Sequence, residues 1–199
     1  MTLPDHLFFT GVPGSRWSGV AQILETLPGF NISDRKPERV YEFQDFSSHL
    51  GSYFGKGMEF DSDIETWSKE LINQYIDSPW ANGKGTRIVK SHDWAYKLPL
   101  IKKLFPDDWI MLVYRPDVVS SAWWHGAGGF KIAYPNYAWY KDSTNMMCEI
   151  QKQNAAILEY AYTQDATWNH FTSKWIKDTF GEEREAPHKF HDMLVTIIK

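Results

Sequence analysis

The chain has 199 residues with a formal net charge of −4, 43% hydrophobic and 23% charged residues. That length suits one globular domain, residues 1–199, and the balance excludes a strongly basic protein whose default partner is nucleic acid. A single cysteine, Cys148, excludes an intrachain disulfide and fits a reducing, cytoplasmic setting.

The N-terminus, Met1-Thr2-Leu3-Pro4-Asp5-His6, lacks the basic and apolar regions of a signal peptide, and no run of about 18 apolar residues suggests a membrane span. Aromatic residues make up 16% of the chain, ten of them Trp. Most of these rings are expected in the core, with a few left to line a pocket.

Leu7 to Thr10 reads as a buried strand, and "GVPGSRWSG" (residues 11–19) follows as a glycine-bearing turn. Trp17, Val20, Ala21, Leu24 and Leu27 then form one apolar helical face, ended by Pro28-Gly29. Arg39 to Phe43 alternates as a second strand would, and Gln44 to Asp61 reads as a loop. Ser62 to Glu65 resembles a capping box opening a helix with Ile64, Trp67, Leu71, Ile72 and Tyr75 on one face.

Thr86 to Val89 reads as a strand ending at Lys90-Ser91-His92. Pro99 starts a short helix that stops at Phe105-Pro106. Trp109 to Tyr114 is a near-continuous apolar run, as expected of a central parallel strand, and delivers Arg115. Helical character resumes at Val118. Residues 125–140 read as a long loop or lid whose aromatics could close over a ligand. A strong helix is expected from Ser143 to Tyr162 and another around Trp168 to Ile176, closed by Gly181.

Strands alternating with helices predict an α/β fold, a central parallel sheet flanked by helices. In such sheets ligands bind beyond the C-terminal strand ends, and three of these ends are polar: the opening loop, Lys90-Ser91-His92 and Arg115. The loop fails as a Walker A motif. With Gly11 as its first glycine, Arg16 and Trp17 stand where Gly-Lys belongs, and the best candidate for a magnesium-bearing strand delivers Arg115 in place of Asp. No metal is expected.

These segments resemble the sulfotransferases that use 3′-phosphoadenosine-5′-phosphosulfate (PAPS). "FFTGVPGSRWSG" is similar to the family's phosphosulfate loop (T-Y-P-K-S-G-T-T-W or G-V-P-R-S-G-T-T). "RIVKSHDW" is similar to its R-I-[LV]-K-T-H strand end. "WIMLVYRPDVVSSAWWH" resembles its 3′-phosphate segment. The resemblance spans roughly residues 6 to 183 and implies a P-loop-like sulfotransferase fold.

It also implies transfer of a sulfuryl group from PAPS, with release of the desulfated product PAP, to a hydroxyl or amine on a small-molecule, saccharide or peptide acceptor, with no nucleic acid or membrane partner. By the same resemblance Pro13, Gly14, Ser15, Arg16, Trp17 and Ser18 would hold the 5′-phosphosulfate, and Arg115 with Ser120 or Ser121 the 3′-phosphate. His92 would be the general base, and Lys90 and Arg16 the cations at the transferring group.

Glu42 and Asp93 are alternative bases. Trp17 and Trp123 are stacking candidates for adenine or, more ordinarily, core rings. The loop departs from the pattern in one respect: its cation follows Ser15 as Arg16 where the family places it before the serine. The C-terminal R-K-G-x-x-G segment of cytosolic members is absent. A P-loop kinase or NTPase and a non-catalytic nucleotide-binding module are the competing readings.

Overall fold

The computed structural model describes residues 2–34, 53–54, 63–131 and 139–199. Within them one five-stranded sheet runs in the order β2-β1-β3-β5-β4. Its strands are β1 (His6–Gly11), β2 (Arg87–Lys90), β3 (Trp109–Tyr114), β4 (Asn169–His170) and β5 (Leu194–Ile198). β1 lies between β2 and β3 and is parallel to both, while β5 runs antiparallel between β3 and the two-residue β4.

The expectation of an all-parallel sheet is therefore corrected at one side. Val195-Thr196-Ile197-Ile198 is a β-branched run that the helix-strand alternation did not anticipate. It follows α6 after residues 181–193 and pairs antiparallel with both β3 and β4.

Alternation along the strands divides the core between two faces. Phe8, Val89, Ile110 and Leu112 point to one face, where helices α2 (Lys69–Asp77), α3 (Leu98–Leu104) and α5 (Ser143–Thr163) cover them through Ile72, Ile76, Leu98, Ile101, Ile150 and Ile157. Leu7, Phe9, Ile88, Met111 and Val113 point to the other, against α1 (Trp17–Leu24) and α6 (Ser173–Phe180) through Val20, Leu24, Ile176 and Phe180. Each such apolar side chain contributes about 1.5–3 kcal/mol of burial.

Several element boundaries move. The helix expected from Ser62 is a 3₁₀ turn at Ile64–Thr66; Trp67 is extended, and α2 starts after Ser68, whose side chain accepts from the Leu71 amide at 3.2 Å. Within α2, Ile72 and Ile76 are buried while Leu71 and Tyr75 are exposed. In α5 the inward face includes Glu149, Gln153 and Asn154, whereas Leu158 is exposed. α6 begins later than expected, at Ser173 with Thr172 as its cap, and ends as expected at Gly181, whose φ is 78°.

Helix α4 (Asp117–Gly126) takes up the start of the expected 125–140 loop. Phe130 and Tyr140 pack on the buried Trp124, with ring centroids 4.9 and 6.0 Å away, so these two rings brace the core. The expected strand at Arg39–Phe43, with Glu42, lies outside the described residues.

Candidate functional site

Strand order switches at β1: β2 lies to one side of it and β3 to the other, both parallel to it. The loops leaving these three strands therefore open on one crevice at their C-terminal ends.

β1 ends at Gly11, and Val12-Pro13-Gly14-Ser15 folds as a tight turn closed by the Ser15 amide donating to the Val12 carbonyl at 3.0 Å. Proline second and a positive-φ glycine third are what a type II turn requires, and Gly14 has φ 78°. Glycine is required twice over here. A Cβ on Gly14 would sit 1.9 Å from the Ser120 carbonyl oxygen of α4.

The next residue, Arg16, caps α1 in the left-handed region at φ 63°, ψ 18°, and no side chain caps the helix. For a non-glycine residue this conformation costs on the order of 1 kcal/mol, a strain characteristic of functional turns. The Arg16 carbonyl accepts from both Gly19 and Val20. The amides of Arg16, Trp17 and Ser18 find no protein acceptor among the described residues, and the first turn holds no acidic residue. A left-handed residue followed by a right-handed helix turns such amides toward one concavity, which favours an anion. The cradle expected from Gly14 to Ser18 thus narrows, because the Ser15 amide is spent on the turn. The Ser15 hydroxyl is fully buried and has no hydrogen-bond partner among the described residues.

Side chains of the loop diverge. The Trp17 ring is 3% exposed, stacked on Phe9 at 5.6 Å and tilted against His92 at 4.4 Å. It belongs to the core and is not an adenine platform; only its amide faces the concavity. The Arg16 guanidinium lies 3.9 Å over the exposed Trp123 ring and donates to the Lys189 carbonyl. Burial pushes it below its ordinary pKa, Arg115 pushes the same way, and Asp192 opposes both.

At the end of β2, His92 is buried with Nδ1 on the Gly11 carbonyl. A carbonyl can only accept, so Nδ1 carries the proton and Nε2 is the basic nitrogen of the neutral ring.

Lys90 departs from its expected role. Its strand neighbour Val89 faces the α2–α3 core, so Lys90 faces α1, where its ammonium bonds Glu25, just past the last turn of that helix, at 3.0 Å and lies over Tyr53. The eight residues of α1 put this pair about 12 Å along the helix from the loop. Lys90 therefore closes a buried ion pair instead of reaching a transferring group.

Past β3, Arg115 is 4% exposed. It donates from Nε and Nη2 to one oxygen of Asp192, at 3.1 and 2.5 Å, and from Nη1 to the Gly14 carbonyl at 3.2 Å. Ser120 is corrected as a phosphate ligand. Its hydroxyl is fully buried and donates to the Arg115 carbonyl at 3.2 Å, which leaves no proton for an anion. Ser121, one step round α4, makes no such bond among the described residues.

Asp192 and the Lys189 carbonyl escaped sequence reasoning, since nothing local marks them. The usable signal was the β-branched run after Met193, which would have carried the C-terminal segment back beside β3. Among the described residues no group of three or more His, Cys, Asp or Glu is placed to hold a metal, and no helix is long and apolar enough to cross a membrane. Comparison with family models, curated proteins and solved structures found no match to this chain.

Proposed function

We propose that this chain binds PAPS and transfers its sulfuryl group to a hydroxyl or amine acceptor, within a P-loop-like α/β fold. One observation carries the reading: the segments that resemble the sulfotransferases touch at one end of the sheet. His92 bonds the Gly11 carbonyl, and Arg115 bonds the Gly14 carbonyl, so all three strand ends close on the same loop.

Sulfuryl transfer, like phosphoryl transfer, is an in-line displacement that demands positioning and neutralisation more than covalent help from the protein. The acceptor oxygen–sulfur bond forms as the sulfur–oxygen bond to the phosphate breaks. The amides of Arg16, Trp17 and Ser18 would hold the charge that spreads over the equatorial and leaving oxygens. His92 would take the acceptor proton on Nε2, and the Gly11 carbonyl would stabilise the imidazolium through Nδ1. A saccharide, small-molecule or peptide acceptor and a cytoplasmic setting belong to the same proposal.

A second reading, a non-catalytic PAP-binding module, is favoured by the burial of His92 at 1% exposed and by the loss of Lys90 to Glu25. Titration calorimetry and radiolabelled PAPS separate the two. Micromolar PAP binding without magnesium, label transfer to a hydroxyl acceptor, and loss of transfer with PAP binding intact in His92→Ala are expected. Preference for magnesium-ATP over PAP would overturn both readings. PAP binding with no transfer across a broad acceptor panel would leave the module.

A further inference from the structure

Arg16 and Arg115 lie within electrostatic range of each other, and Asp192 is the carboxylate that acts on both. Two guanidiniums against one carboxylate leave an excess positive charge. The Arg16 Nε–H is buried and has no hydrogen-bond partner among the described residues. The Asp192–Arg115 contact is also poorly matched to its geometry. A guanidinium offers two parallel N–H groups to two oxygens, whereas here Nε and Nη2 converge on a single oxygen, Oδ2.

The backbone carrying Asp192 is firmly held on both sides. Phe190 is 6% exposed and packs so closely on α1 that a Cβ on Gly19 would meet its ring at 2.7 Å, and Met193 is fully buried. The Asp192 side chain itself is 48% exposed. It can therefore rotate away from Arg115 into solvent without moving the strand behind it.

We infer that Arg16 and Arg115 form a single pocket for a dianionic phosphate monoester and that Asp192 is its built-in competitor, a carboxylate that the phosphate displaces. A phosphate brings the second charge and the second oxygen that Asp192 does not supply. It accepts from the fork of Arg115 and from the orphaned Nε of Arg16, while Nη1 of Arg115 stays on the Gly14 carbonyl and holds the loop. Arg16 would then serve this phosphate and not the transferring sulfuryl group, which is left to the backbone amides. The identification of the phosphate as the 3′-phosphate of PAP rests on the nucleotide reading above; the pocket and its competitor do not.

Titration calorimetry on wild type, Asp192→Asn and Arg16→Gln, with PAP, 5′-AMP and inorganic pyrophosphate as ligands, tests the inference. Removing a half-exposed competing charge is expected to tighten PAP about tenfold in Asp192→Asn and to leave 5′-AMP, which lacks the 3′-phosphate, unchanged. Arg16→Gln is expected to weaken PAP by a similar factor and again to spare 5′-AMP.

PAP affinity unchanged or weakened in a folded Asp192→Asn protein would overturn the competitor and leave the nucleotide reading standing. No PAP binding to wild type, but pyrophosphate binding that tightens in Asp192→Asn, would support the pocket and remove the nucleotide reading. No binding of any of the three ligands to wild type or to Asp192→Asn would overturn both. Should Asp192→Asn melt below the assay temperature, Arg16→Gln decides: equal losses for PAP and 5′-AMP would sink the shared pocket.

Discussion

The two ends of the parallel strands both bury charge, and they do it differently. At the N-terminal end His6 bonds Asp108 through its backbone amide at 2.9 Å and its ring Nδ1 at 2.8 Å; its Nε2 lies 3.5 Å from Asp77, which in turn pairs with Arg87. Base and acid alternate there, His6 between Asp108 and Asp77 and Asp77 against Arg87, although His6 Nε2 and Arg87 Nε are buried without a hydrogen-bond partner among the described residues. At the C-terminal end two guanidiniums, of Arg16 and Arg115, act on the one carboxylate of Asp192, and Arg16 is held in a left-handed conformation. A compensated network gains nothing from a ligand. An undercompensated and strained one does, and this asymmetry marks one end as scaffold and the other as site.

If so, substitutions at the two ends should fail in opposite ways. The largest effect is expected where site and scaffold meet. Gly14→Ala puts a Cβ into the Ser120 carbonyl at a positive φ and should cost about 3 kcal/mol or prevent folding; a melting temperature near wild type would mean that loop and α4 are not packed as described.

At the scaffold end, Asp108→Asn should cost about 2 kcal/mol near neutral pH, measured by urea denaturation, with PAP affinity unchanged. Burial alone would raise the Asp108 carboxyl, but its bonds from His6 outweigh that and hold it below the ordinary 3.8. Its stabilisation is then complete above that value and is lost as pH falls through the lower folded-state value. Wild type should show this acid limb, and the variant a flatter one.

The smallest change in stability is expected at the site. Arg16→Gly relieves the left-handed strain but gives up the contact with Trp123, so stability should move by no more than about 1 kcal/mol while PAP affinity falls about tenfold. A stability loss as large as that of Asp108→Asn would erase the distinction between the two ends.

The parallel half of the fold was legible because each of its strands is a short apolar run followed by a polar break. Leu7 to Thr10 and Trp109 to Tyr114 could face only a sheet covered on both sides. The same breaks brought Gly11, His92 and Arg115 to one place, while Lys90, Ser120 and the Trp17 ring turned elsewhere. What stayed hidden depended on long-range pairing. Lys90 sits one residue past Val89, and only the sheet decides that its side chain meets Glu25, 65 residues earlier. Asp192 meets Arg115 across 77 residues, with no local pattern to announce it.

The β3–β5 ladder has a further consequence. Tyr114 pairs with Leu194, so Arg115 stands one residue beyond the last rung and Asp192 two residues before it, in the turn that leads into β5. The charge balance of the crevice is thus written in strand alignment. Deleting Met193, which lies between Asp192 and Leu194, would leave the net charge unchanged yet slip Asp192 by one step against the ladder. Since neighbouring side chains on a strand face opposite ways, that slip would turn the carboxylate away from the guanidinium it now holds. For this protein, the length of the approach to its last strand is as much a chemical specification as the identity of any residue in it.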